Sequence, residues 1–349
     1  MKQAILGITL TLLLFGCGQA QVTHNSQLAG NIESLMNAFH ERGLFNGTLL
    51  VSQNNKVVYR NAFGHADFSA GIKLTPESSF YLASVSKQFT TMAIMILKEK
   101  GKLSYEDKLS DYFPDFPDYA KTVTIRHLMT HTSGIPDHFR LNAYKAGLNN
   151  DDVYNLLIQQ KALDFTPGSR FSYSNGGYVL LSMIVAKVSN QPFHEFMKND
   201  IFLPLQMENT LVYHRAAPAI ADRAVGYNAF GFLDDYEILT TGAGGMYSNI
   251  DDLFQWEQAL KDHRLIPKNV LLEAYEPYVL SSGDTSYYGF GWGINAEKNY
   301  VDHSGGFSGY RAYLRRYLKS GDAIILLTNK GDAFAMGEIN SGLEELLME

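Results

Sequence analysis

The sequence predicts an α/β (α+β) protein: one antiparallel sheet built from both chain ends and flanked by helices, with a mainly helical region inserted between them. Three observations lead there. Strand-like segments gather towards the two ends of the 349 residues, the middle is rich in Pro, Gly and helical patches, and amphipathic helices open and close the pattern. Leu28 to Arg42 has Ile32, Leu35, Met36 and Phe39 at helical spacing with Gly43 past the end. Gly47 to Ser52 and Val57 to Phe63 then read as strands of a hairpin turned at Gln53-Asn54-Asn55. The insertion spans roughly 104–249; Asp152 to Gln160 is a helical patch within it, and Asp251 to Leu260 follows it. Beyond Tyr288, short strands alternate with turns at Asn295 to Lys298 and Lys319 to Asp322, and Met336 to Met348 closes the chain as a helix.

Hydrophobic residues make up 46% and charged residues 19% of the chain, a balance that buries a core and argues against disorder. A net charge of -7, with no basic stripe interleaved with aromatics, excludes nucleic acid as a partner. Residues 1–16 read as a signal peptide, with Lys2 at its charged end and the apolar stretch Ala4 to Phe15 too short for the roughly 20 residues that span a bilayer. Cys17 is the sole cysteine, so no intramolecular disulfide forms, and its setting after Leu14-Phe15-Gly16 resembles the lipobox of bacterial lipoproteins. That resemblance implies an exported protein held to a membrane by a lipid on Cys17, with 17–27 as a polar tether and 28–349 as the folded domain. In a Gram-negative host, Gly18 after the cysteine resembles the outer-membrane sorting signal.

Ser84-Val85-Ser86-Lys87 is the most informative tetrad. It opens an amphipathic segment in which Phe89, Met92, Ala93, Ile96 and Leu97 recur at spacings of three and four before Gly101. Residues three apart share a helix face, so the Lys87 amine reaches the Ser84 hydroxyl and supplies the base that an isolated serine lacks. Alone, the pattern more often marks a capping serine and a solvated lysine. Two later motifs tip the balance. Tyr173-Ser174-Asn175 follows Thr166-Pro167-Gly168 in a loop that opens the apolar run Val179 to Val185, and His303-Ser304-Gly305-Gly306 closes a short strand ahead of Tyr310 to Leu318.

With S-x-x-K, Y-x-N and H-x-G in this order, the chain resembles the serine β-lactamase and penicillin-binding protein family, in its class C β-lactamase-like branch with D,D-carboxypeptidases and esterases. His131-Thr132-Ser133-Gly134, Gly242 to Met246 and Tyr288 to Trp292 agree with it, so the likeness runs from about Leu28 to the C-terminus. It implies a β-lactamase/transpeptidase-like fold and an acyl-enzyme on Ser84. Tyr173 is a second candidate for the Ser84 proton, although a reference pKa near 10 leaves about 0.1% phenolate at pH 7, so it needs Lys87 beside it.

By resemblance, Asn175 and Ser304 bind the substrate, and the amides of Ser84 and Gly306 form the oxyanion hole. His303 stands where many relatives have lysine, and near pKa 6.5 it is only partly charged. That departure favours an ester or peptide substrate over an anionic β-lactam. No cofactor is expected. His127 and His131, four apart, mimic a metal pair without a third ligand, Trp256 and Trp292 read as core, and Arg311 suits a strand-edge salt bridge as well as a substrate carboxylate. The expected partner is a small ester or peptide, including peptidoglycan-derived ones. The competing expectation is a penicillin-binding or wall-sensing protein that acylates without efficient turnover.

Overall fold

The computed structural model describes residues 15–141 and 145–348, with side chains from Ser26 onward. The leader segment and the Cys17 thiol lie outside what is described. Among the described residues no helix is long and apolar enough to cross a membrane.

Helix α1 (Phe15–Glu41) leads into β1 (Gly47–Gln53) and β2 (Lys56–Phe63). Asn54 and Asn55, both at positive φ, make the tight hairpin turn whose twist matches the paired strands. The short strand β3 (Phe80–Tyr81) precedes α2 (Ser86–Glu99). The middle of the chain contributes α3 (Ile125–Met129), α4 (Asn150–Leu157), α5 (Asn175–Ser189), β4 (Leu211–Val212), β5 (Met246–Ser248) and α6 (Ile250–Lys261). Strands β6 (Gly293–Asn295), β7 (Tyr300–Phe307), β8 (Tyr310–Tyr317) and β9 (Ala323–Thr328) and helix α7 (Met336–Met348) complete it.

The main sheet has the order β6-β7-β8-β9-β1-β2, and its pairs are antiparallel. The two chain ends meet where β1 pairs β9, from Gly47 opposite Thr328 to Ser52 opposite Ala323. Strand β9, Ala-Ile-Ile-Leu-Leu-Thr, is buried throughout because it is covered on both faces. Ile324 and Leu326 pack with Ile32, Met36 and Ile339 beneath α1 and α7, while Ile325 and Leu327 join the larger core that holds α2, α5 and α6. The insertion therefore sits on one face and the terminal helices on the other.

A second, small sheet, β3-β5-β4, ties the Ser84 region to the loop ending at Gly245. Trp256 and Trp292 are both fully buried in the larger core, as their composition suggested.

Candidate active site

The position of Ser84 begins with a backbone turn. After β3 the chain reverses through Ala83, whose φ of 46° is uncommon for a residue with a Cβ and marks stored strain beside Ser84. Ser84 then lies in a 3-10 turn, Ala83–Val85, one turn ahead of α2. It caps nothing: the residue before α2 is Val85, with no side-chain cap. Lys87, in the first turn of α2, is fully buried and donates to Ser84 Oγ at 3.1 Å, to Asn175 Oδ1 at 2.8 Å and to the Ala243 carbonyl at 2.8 Å. Burial lowers its pKa to about 7, and the Asp137 carboxylate opposes that shift.

Asn175 is held at the start of α5, where Ser174 Oγ accepts the Gly177 amide at 3.2 Å as a helix cap. Its two amide ends are both engaged, Oδ1 by Lys87 and Nδ2 with Asp137 Oδ2 at 3.0 Å. Tyr173 places its ring 4.8 Å from the Lys87 ammonium and 4.1 Å from the His131 ring, centroid to centroid for the latter. Burial pushes the Tyr173 phenol well above its ordinary value, a rise that its hydrogen bond with Ser84 only partly offsets. Of the two candidates for the Ser84 proton, burial thus disfavours the Tyr173 phenolate and favours the neutral Lys87 amine.

Strand β7 forms the opposite wall, and the His-x-Gly motif occupies its closing residues, ahead of Phe307. Alternation along the strand buries His303 and Gly305 and exposes Ser304 and Gly306. Gly305 is required by close approach, since a Cβ there would stand 2.2 Å from the Leu82 carbonyl oxygen and 3.0 Å from the Ser84 nitrogen. His303 is not a partly charged, substrate-facing group. Its Nε2 is 2.8 Å from the Tyr288 hydroxyl and its Nδ1 2.6 Å from the Ser304 carbonyl, and burial lowers its pKa to about 3. It stays neutral behind the wall, 6.3 Å from the Tyr173 ring.

Ser84, Asn175, His138, Ala243 and Gly306 line a cleft of about 400 Å³. Phe139, Ile238, Thr240 and Phe307 continue it into a compartment of about 300 Å³ that Lys145 and Glu237 also line. Arg311 packs beside Gly306 and is bonded to Asp332 and to the Ser308 and Tyr310 carbonyls, which is the salt bridge the sequence allowed for. Among the described residues no three His, Cys, Asp or Glu side chains gather as a metal set. His127 Nδ1 instead accepts the Thr124 amide, and His131 Nδ1 accepts that of Ser174.

The beta-lactamase family profile matches residues 28–345. The chain belongs to the beta-lactamase family. It is 35% identical over 327 residues to penicillin-binding protein 4* of Bacillus subtilis, covering 86% of this chain and 71% of that one. A penicillin-binding protein from Bacillus halodurans, of known structure, superposes with a TM-score of 0.78 at 26% identity over 90% of this chain and 98% of its own. A class C β-lactamase shares the fold at a TM-score of 0.78 and 20% identity, covering 93% of this chain and 97% of that one.

Within this beta-lactamase family site, the fold brings together Ser84, Lys87, Tyr173, Asn175 and Gly306, while Ser304 is exposed on the neighbouring position and His303 stands behind. Sequence reasoning missed Asp137 and His138, which follow the quoted His131 to Gly134 run by only three residues. Nothing in their spacing announces them, because Asp137 meets Asn175 across 38 residues of chain. The Ala243 carbonyl was missed for another reason: a backbone acceptor leaves no side-chain signature.

Proposed function

We propose that the protein is a serine hydrolase that cleaves an ester or amide through an acyl-enzyme on Ser84. The observation that carries this reading is the 3.1 Å contact between Ser84 Oγ and an amine whose pKa burial has brought to about 7. An amine poised there serves as base at working pH, which an ordinary lysine near 10.5 does not. Ser84 Oγ attacks the carbonyl carbon and its proton passes to Lys87 Nζ. The tetrahedral oxyanion is met by the Ser84 and Gly306 amides. As the scissile bond breaks, the Tyr173 phenol, hydrogen-bonded to Ser84, relays the proton to the departing oxygen or nitrogen. Water then attacks the acyl-Ser84 bond by the same route in reverse and restores the hydroxyl.

The experiment is steady-state hydrolysis of a neutral p-nitrophenyl ester, a chromogenic cephalosporin and a D-Ala-D-Ala peptide by wild type and Ser84→Ala. At least one substrate should turn over, and Ser84→Ala should retain under about 1% of that rate while keeping the wild-type melting temperature, since it removes one oxygen at a cleft wall. Equal rates in the two proteins would remove Ser84 as nucleophile.

A further inference from the structure

We propose that Asp137 is a positioning residue for acyl transfer, locking the Asn175 amide against Lys87 and making the working cleft favour neutral or cationic acyl donors over anionic ones. This rests on Lys87 being the base. The geometry is directional. A carboxylate only accepts, so Asp137 Oδ2 at 3.0 Å takes the Asn175 NH2, and the amide oxygen is left facing Lys87 Nζ at 2.8 Å. An isosteric amide at 137 accepts from or donates to either end of Asn175, and the preference is lost.

The electrostatics point the same way. Three histidines surround Lys87: His131 and His138 from the loop after α3, and His303 from β7. Burial keeps all three neutral, with pKa values lowered well below the ordinary range for His131, to about 4 for His138 and to about 3 for His303. The phenols of Tyr173, Tyr178 and Tyr288 are held protonated by the same cause. The Asp137 carboxylate is the neighbouring charge that opposes the effect of burial on Lys87. No Arg or Lys is among the residues lining the cleft around Ser84, and the Lys145 and Glu237 that line its extension are of opposite charge. With Lys87 protonated the pair sums to zero; once Lys87 is neutral and ready to act, the cleft carries -1. An anionic substrate meets that charge and a neutral ester does not.

The test compares kcat/KM from pH 5 to 9 for p-nitrophenyl acetate and for anionic p-nitrophenyl hemisuccinate in wild type, Asp137→Asn and Asp137→Glu. Removing the carboxylate removes what holds the proton on Lys87, so the acid limb should move to lower pH by about 0.5–1 unit in Asp137→Asn and stay near wild type in Asp137→Glu. The anionic-to-neutral ratio should rise about threefold to tenfold in Asp137→Asn. If that variant does not fold, Asp137→Ser is read in the same way. A wild-type limb that neither neutral variant moves, or an unchanged ratio, overturns the proposal while leaving Lys87 as base. A wild type without an acid limb near neutrality overturns the Lys87 reading and the proposal together.

Discussion

Lys87 illustrates how far burial takes a side chain from its behaviour in water. A descent from 10.5 to about 7 corresponds to roughly 4–5 kcal/mol of lost preference for the charged form, so the Asp137 charge is outweighed by desolvation. The same low-dielectric pocket drives Tyr173 the opposite way, because its charged form is the deprotonated one. On the proposed mechanism, Lys87 and Tyr173 work as one proton-transfer unit around Ser84. Lys87→Ala and Tyr173→Phe should each lower kcat by about 100-fold or more, and the double variant should be little worse than the weaker single. Losses that multiply, measured as kcat for all four proteins on one ester, would separate the two residues. That Ser84, Lys87 and Tyr173 come together was legible from the order of three motifs and the family resemblance they carry, since each motif alone is weak. The charge states of Tyr173 and His303 were not, because they depend on burial and on partners such as Tyr288 that are set by tertiary packing.

At the scale of elements, the site depends on two pieces of backbone pressed together: the turn carrying Ser84 and strand β7. Gly305 is the contact. His303 to Gly306 closes the strand as the sequence suggested, with Phe307 its last residue, and Gly305 permits the close approach. Gly305→Ala would put a methyl 2.2 Å from the Leu82 carbonyl, backbone against side chain with nothing flexible to yield. The strand must move from Ser84 by a fraction of an ångström to an ångström. kcat/KM should fall about 100-fold while stability falls only about 1–3 kcal/mol, read from ester hydrolysis and urea unfolding. Near-wild-type activity would show that the wall is not fixed by this contact. Elements with strong periodicity were legible to within a few residues, as with α7 at Met336–Met348 and the β1–β2 hairpin. Helix α1 begins earlier than the expected Leu28, at Phe15.

For the whole molecule, the pairing of β1 with β9 decides the architecture. It joins segments about 270 residues apart, leaves the insertion to cover one sheet face, and places the cleft between that insertion and strand β7. Strand patterns at both ends with helices between made this arrangement legible, since edge strands at the two ends need partners. The contents of the cleft wall were harder to read, because Asp137, His138 and Phe139 belong to a loop whose role exists only when α5 and β7 are folded around it. The central claim is that this cleft acylates Ser84. Mixing the protein with a slowly hydrolysed acyl donor, quenching in acid and recording intact mass followed by peptide mapping tests it most directly. One acyl group per chain, on the peptide containing Ser84 and missing from Ser84→Ala, is the predicted result; an adduct on another residue, or an equal adduct in Ser84→Ala, would contradict the account.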